Sequence, residues 1–411
     1  KAGASAVLLN VRFTPKEMAY PLQDAGIRLV VTEAAFADVL KATLEEVPGV
    51  AVFMIEATER FRDFADLPVA GAAAPEVEVG GADVALVCYT SGTTGFPKGA
   101  MLTHGCIHSA GVSGIIPMGI TFEDRLLISL PLAYTWGTCL YFREALIPGA
   151  TTIIESTFDP DRLIEVLEGE RITNWASVVV LFEKIANHPR FAEADFSALK
   201  HVITGNASLH LLKTWSAKGV PISQAWGLTE TGGHATILYA EDAEARMGSS
   251  GRAMMGCEIR VVDEDGRTLP PNTPGEVLVR GPIIMKGYLN KPEETAKTIV
   301  DGWLHTGDIG VIDADGFLSI VDRSKDMLRS GGLNVYPAEL ERVLAGVPGL
   351  EEFTVIGVPD ARWGEVPMVI AHGTRPVDVP ALKQRARTTL ADYKRPRYLV
   401  NYGKPLPRTV S

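Results

Sequence analysis

Tyr89-Thr90-Ser91-Gly92-Thr93-Thr94-Gly95-Phe96-Pro97-Lys98-Gly99 follows an apolar run, Val84–Tyr89, and precedes a helical segment near Thr103. The apolar run reads as a strand buried on both faces. The three glycines Gly92, Gly95 and Gly99 let backbone amides converge on an anion. The hydroxyls of Thr90, Ser91, Thr93 and Thr94 add donors, and Lys98 adds a mobile point charge suited to terminal phosphates. The stretch lacks the Walker A spacing of glycines, lysine and hydroxyl. No G-x-G occurs in the chain, so the dinucleotide fingerprint is absent, and no G-x-S-x-G elbow points to a serine hydrolase. On composition alone a flexible surface turn remains open for this stretch.

Around this loop, residues 7–222 alternate short apolar runs with amphipathic stretches. Ile27–Val31, Val50–Ile55, Leu126–Ser129, Thr151–Ile154 and Val220–Ser223 read as further strands. Thr14-Pro15-Lys16-Glu17 opens a helix with a capping box, and Asp159-Pro160-Asp161 opens another. The alternation predicts parallel sheet covered by helices. From about Glu258 the texture changes to short strands, Glu258–Asp263, Glu276–Arg280, Ile309–Ile312 and Phe317–Val321. Asp265-Gly266, Pro270-Pro271 and Asp315-Gly316 split them, as in an antiparallel, barrel-like region. Beyond Asp322 comes a small α+β unit: helices near Pro337–Leu344 and Val379–Leu390, strands near Phe353–Gly357 and Val366–Ala371. The expected class is therefore α/β. A large N-terminal domain, 1–322, carries parallel sheets layered with helices and a β-barrel-like subdomain at about 258–321; a small α+β domain, 323–411, follows.

The 411 residues carry 39 basic and 50 acidic side chains, a net charge of −11. That balance argues against nucleic acid as the main partner, because binding a phosphate backbone requires a basic face. It leaves room for a small anion in a local pocket. Cys88, Cys106, Cys139 and Cys257 are scattered and form no C-x-x-C pair, which excludes the common zinc and redox motifs and fits a reducing cytoplasm. No apolar run is long enough for a transmembrane segment.

The opening stretch closely resembles the signature loop of the adenylate-forming superfamily: acyl-CoA synthetases, peptide-synthetase adenylation domains and firefly-type luciferases. Three further stretches resemble that family's motifs in the right order. They are Gln224-Ala225-Trp226-Gly227-Leu228-Thr229-Glu230-Thr231, then Trp303-Leu304-His305-Thr306-Gly307-Asp308, then Asp322-Arg323-Ser324-Lys325-Asp326 with Ser330-Gly331-Gly332-Leu333-Asn334-Val335-Tyr336-Pro337. The likeness covers essentially the whole chain.

The resemblance implies ATP, Mg2+ and coenzyme A as cofactors and a carboxylic acid as substrate. It implies a first half-reaction giving acyl-AMP and a second giving a thioester after domain rotation. Thr90–Lys98 would hold the β- and γ-phosphates, Thr229 would donate to the α-phosphate, and Glu230 would ligate Mg2+. Trp226 would stack on adenine, beside Gly227. Gly205-Asn206-Ala207 resembles the family's Gly-Gly-Ala turn along the adenine; Asn206 departs from glycine, and asparagine tolerates left-handed backbone. Asp308 and Arg323 would reach the ribose. Lys325 matches the hinge, and Gly331-Gly332 would let backbone lie beside a thin pantetheine arm. His305 receives no catalytic role. The family's adenylation lysine falls just past Pro407-Arg408-Thr409-Val410-Ser411, so the sequence reads as part of a longer product.

In amino-acid-activating relatives an aspartate receives the substrate ammonium. The matching stretch here, Leu130-Pro131-Leu132-Ala133-Tyr134-Thr135-Trp136-Gly137, has no carboxylate, and burying an unpaired ammonium is costly. A plain carboxylic acid is expected. Tyr134, Trp136, Val178–Val180, Trp226, Gly232 and Gly233 are candidate walls of the acyl or CoA route. Two alternatives stay open, an acyl-AMP ligase loading a carrier protein and a nucleotide-binding protein without turnover. A homodimer is left open.

Overall fold

The computed structural model describes residues 3–11, 13–56, 61–67, 73, 76–90, 97–138, 143–156, 158–323, 328–330, 333–335, 337–360, 362–390 and 392–407. The chain divides into two units, Lys1–Glu258 with Val279–Leu304, and Ile259–Leu278 with His305–Ser411.

The first unit is built on three sheets. The largest has seven strands in the order Arg252–Ala253, Thr236–Leu238, Ile222–Trp226, His201–Thr204, Asn174–Ala176, Arg125–Ile128, Thr151–Ile154. From Ile222–Trp226 to Thr151–Ile154 every pairing is parallel, as continuous apolar strands between helices require. The last two strands turn back antiparallel. One face packs Leu126, Ile128, Ala176 and Ile203 against Met118 and Ile120 at the end of helix His104–Met118. Trp175 belongs to the aromatic cluster formed with Phe182 and Trp215 from the helices Val179–Ala186 and Leu209–Ala217.

A second sheet adds a strand to the expectation around the opening stretch, whose preceding strand and following helix near Thr103 are both present. Lys98–Thr103 is a strand, paired antiparallel with Val84–Thr90, and Gly287–Tyr288 adds antiparallel on its far side. Thr103 then caps helix His104–Met118 by accepting from the Cys106 amide. Residues 91–97 thus connect two antiparallel strands, and the expected helix near Thr103 begins after the second of them. The lysine, the glycine and the small Ala100 hid the second strand, since strand propensity resides in bulky side chains. A small parallel sheet, Leu29–Thr32, Ala51–Met54 and Arg62–Asp63, buries its apolar face under helices Pro15–Asp24 and Ala37–Glu46. The capping box at Thr14 and Glu17 and the Asp159 cap are both formed.

In the second unit, Leu318–Arg323 pairs antiparallel with the strand ending at Ile312, with Asp308 opposite Arg323. Leu333–Val335, Leu328–Ser330, Gly364–His372 and Glu352–Asp360 form another sheet, which Tyr398–Asn401 joins in parallel. Helices Pro337–Leu344 and Val379–Thr389 supply Leu340, Leu344, Leu382 and Ala386 to its core.

Candidate functional site

The phosphate-side candidates of the first unit gather around the two central strands of the hairpin sheet. Thr90 sits opposite Lys98, and its hydroxyl donates to the Lys98 carbonyl at 3.4 Å, closing the base of the turn. Ser91, Gly92, Thr93, Thr94 and Gly95 lie outside the described residues. Lys98 places its ammonium 2.7 Å from Glu294 Oε2 and 5.1 Å from the centroid of the Tyr288 ring.

Thr229, Glu230 and Thr231 form a 3-10 turn just past the strand Ile222–Trp226. The turn is locked by the fully buried Thr231. Its hydroxyl receives the Leu228 amide and is 2.9 Å from the carbonyl oxygens of Leu228 and Gly233. Glu230 Oε1 accepts from the Tyr288 phenol at 2.8 Å, and the Glu230 carbonyl accepts from the Met285 amide. Burial, then the Glu230 charge, push the Tyr288 phenol far up from its ordinary range, so it stays a donor. The Thr229 hydroxyl accepts from Thr135 at 2.9 Å, and this oxygen keeps its own proton to give elsewhere.

Among the described residues no cluster of three His, Cys, Asp or Glu side chains could cage a metal ion. A single carboxylate such as Glu230 fits Mg2+, which takes one or two protein oxygens and completes its shell with phosphates and water.

On the base side, Trp226 ends its strand, half-buried, opposite Thr236. Gly227 follows under tight constraint: a Cβ there would lie 1.9 Å from the Gly233 carbonyl oxygen. Gly205, Asn206 and Ala207 follow the neighbouring strand His201–Thr204, and the Ala207 amide donates to Gln224 Oε1 at 2.7 Å. The left-handed tolerance expected to matter at Asn206 is not needed, because neither Gly205 nor Asn206 has positive φ.

The acyl-side candidates separate. Tyr134 accepts on its phenol from the Asn10 amide at 2.9 Å. Trp136 packs on the core cluster of Met118, Ile128 and Ile237. Val178 and Val180 are exposed. Gly232 is left-handed, with the space beside it taken by Cys106 Sγ and the Ile283 carbonyl, so its lack of a side chain serves the turn.

In the second unit, Asp308 is buried and faces Arg323 across the strand pair, so the register places both ribose candidates on adjoining backbone. His305 Nδ1 is 2.9 Å from Glu276, which also accepts from the Gly307 amide; this gives the histidine a structural partner. Lys325, Gly331, Gly332 and the tail Arg408–Ser411 lie outside the described residues.

Two residues at the site, Tyr288 and Glu294, carried no sequence signal, and two more, Thr135 and Gln224, stood in quoted stretches without a role of their own. Asn290-Lys291-Pro292-Glu293-Glu294 shows a helix opening, with proline in the first turn and acids after it, but nothing in it names Lys98 as a partner.

The profile of the AMP-binding enzymes matches residues 1–289, and that of their C-terminal domain matches residues 339–411. The chain belongs to the AMP-binding enzymes. Feruloyl-CoA synthase of an Amycolatopsis species is 37% identical over 416 aligned residues, covering 100% of this chain and 82% of that one. Long-chain-fatty-acid–CoA ligase FadD13 of Mycobacterium tuberculosis is also 37% identical, over 99% of this chain and 81% of the relative. O-succinylbenzoate CoA synthetase (MenE) of Bacillus subtilis, solved with ATP and magnesium ion, superposes with a TM-score of 0.87. It is 31% identical and matches 98% of this chain and 81% of that one. The adenylate-forming resemblance and the α/β class are therefore those of the molecule. No helix among the described residues is long and apolar enough to cross a membrane.

Proposed function

We propose that this AMP-forming acid–CoA ligase activates a carboxylic acid lacking an α-ammonium group, using the residues of the 3-10 turn and the hairpin as its phosphate-handling parts. ATP, Mg2+ and CoA are its cofactors. A carboxylate oxygen attacks the α-phosphorus, and pyrophosphate leaves with the electrons of the broken P–O bond. The CoA thiol, losing its proton, then attacks the acyl carbon and AMP leaves. In such displacements positioning and charge neutralisation do most of the work.

The observation that carries the reading is the pair Thr229 and Glu230 on one turn. The hydroxyl, with Thr135 as its donor, is set to donate to the α-phosphate. The carboxylate, held on one oxygen by Tyr288, has the other for Mg2+. Mg2+ supplies neutralising charge on the triphosphate when bound. Thr90, the loop 91–95 and Lys98 bind the β- and γ-phosphates. Trp226 offers adenine a flat face beside Gly227 and the turn Gly205, Asn206 and Ala207. Asp308 and Arg323 take the ribose, Lys325 is the hinge between the large domain 1–322 and the small mobile domain 323–411, and Gly331 and Gly332 line the pantetheine. The absence of a carboxylate along Leu130–Gly137 supports the plain acid. The scattered cysteines, with no C-x-x-C pair among them, support a cytoplasmic setting.

A panel of aryl, arylalkyl and aliphatic acids scored first for pyrophosphate release and then for CoA thioester tests the reading on full-length protein. Pyrophosphate release with at least one acid, followed by its thioester, is expected. Silence across the panel overturns the ligase, and adenylate without thioester transfers the reading to a carrier-protein ligase. Glu230→Gln is expected to weaken Mg2+-dependent adenylation with folding intact, and unchanged turnover removes Glu230 from the metal.

A further inference from the structure

Lys98 is the one charged side chain of the opening stretch, and its ammonium already has a counter-ion. Glu294 Oε2 holds it at 2.7 Å, with the lysine side chain 13% exposed and the glutamate 32%. The glutamate is fixed by its surroundings. The Tyr288 amide donates to Thr295 on the same helix, and the Leu289 amide donates to the Gly99 carbonyl. Helix Pro292–Thr298 is thereby tied to the strand that carries Lys98. The ammonium holds the Glu294 carboxyl below its ordinary range, with Lys297 adding to the effect. Lys297 Nζ lies 3.3 Å from the other oxygen, Glu294 Oε1.

The carboxylate therefore has two cations, Lys98 largely sheltered and Lys297 largely exposed. Removing the first leaves it paired with the second and solvated. Both partners would make charge-assisted bonds to the ammonium, but a triphosphate offers it more negative charge than one carboxylate, which also keeps Lys297. Tyr288 adds a surface along which the ammonium can travel: the cation is within reach of the ring face, and the phenol points to Glu230.

We propose that Glu294 is a positioning residue that holds Lys98 in the nucleotide-free protein and gives it up to the triphosphate on binding, with Lys297 remaining as its counter-ion. The proposal rests on the phosphate-site reading above and deepens it. Glu294 acts as an internal competitor of the β- and γ-phosphates. It sharpens the distinction between ATP and AMP, because only a ligand with terminal phosphates draws Lys98 away.

Calorimetric titration of full-length protein with MgATP and with AMP tests it. Glu294→Gln is expected to tighten MgATP binding about threefold, the size of a weak surface pair, and to leave AMP unchanged. Lys98→Met is expected to weaken MgATP about tenfold or more, and in that background Glu294→Gln has no effect on MgATP. If Glu294→Gln leaves MgATP affinity unchanged or weakens it, the lysine is a static anchor and the exchange is overturned. If that variant does not fold, Lys297→Gln replaces it. Stripping the standby cation is expected to weaken MgATP about twofold and not AMP, and equal affinities overturn the proposal. Wild-type protein that binds no MgATP overturns the site reading and the exchange together; a tight wild type with an indifferent Glu294→Gln overturns the exchange alone.

Discussion

The strands His201–Thr204 and Ile222–Trp226 lie side by side in one sheet, yet the turns that leave them are held in opposite ways. The turn after Trp226 is fixed at many points. Gly227 has the Gly233 carbonyl and His234 backbone where a side chain would begin, Gly232 is left-handed, and Thr231 bonds three backbone groups. The turn after Thr204 is held mainly by one contact, Gln224 Oε1 on the Ala207 amide, and nothing lies within 4 Å of a Cβ at Gly205. The contrast matches the demands of the chemistry. Groups that meet the α-phosphate and metal need fixed placement, because small errors of position cost rate. A turn along a flat base only has to exclude water and can shift.

The comparison breaks first at Gly227. Gly227→Ala forces a methyl against backbone atoms that cannot rotate away. The expected loss is about 3 kcal/mol or more, an overpacking cost at the upper end of its range, read by denaturant unfolding. A loss under about 1 kcal/mol would mean the turn yields as easily as its neighbour.

Thr231→Val keeps the shape and removes the hydroxyl. The Leu228 amide then has no oxygen in place, and the one proton shared by the Leu228 and Gly233 carbonyls is lost in a fully buried setting, with the Leu228 carbonyl keeping the Thr231 and Gly233 amides. A destabilisation of about 2–3 kcal/mol is expected, with Mg2+-dependent adenylation falling alongside it because Thr229 and Glu230 share the turn. Stability lost with adenylation intact would separate the lock from the chemistry.

Gln224→Leu sharpens the other side. It orphans the Ala207 amide, but it also removes Gln224 Nε2, a buried donor that has no acceptor among the described residues. The two effects oppose, so the expected cost is about 1 kcal/mol, the low end for a lost buried bond. The Michaelis constant for ATP should rise more than kcat falls if, as proposed, the turn runs along the base and not the reacting phosphorus. A kcat effect larger than the KM effect would place Gln224 with the rigid turn.

How much of this could be read from the chain alone follows from where each constraint resides. The Thr14 and Asp159 caps, the helix Pro337–Leu344 and the strand Thr151–Ile154 were legible because their signals are local: a capping residue, a proline, an apolar period. Asn174–Ala176, at three residues, is too short to show a period, although it lies inside the large sheet between His201–Thr204 and Arg125–Ile128. The site divides the same way. The hydroxyls, glycines and carboxylate that would meet ATP stand in contiguous motifs and announce themselves by type. Their supports do not: Tyr288 reaches Glu230 across 58 residues, Glu294 reaches Lys98 across 196, and Thr135 reaches Thr229 across 94. A tyrosine, a glutamate and a threonine are ordinary surface or core residues until folding brings them to a partner.

The smallest effect is expected at Gly205, and it is the most direct test of the open turn. Glycine at such a position is normally explained by positive φ or by close approach, and neither holds here. Alanine can adopt the backbone and meets no neighbour, so it restricts the unfolded chain without straining the folded one. Gly205→Ala should therefore be neutral or stabilising by about 0.5 kcal/mol. What remains for the glycine is the proposed ligand: if this surface takes the base, a methyl there would raise the Michaelis constant for ATP while the melting temperature stays level or rises. The divergence of those two readouts is the signature of a residue kept small for its ligand. Destabilisation would instead place a backbone demand at Gly205 like the one at Gly227, and the contrast between the turns would be lost.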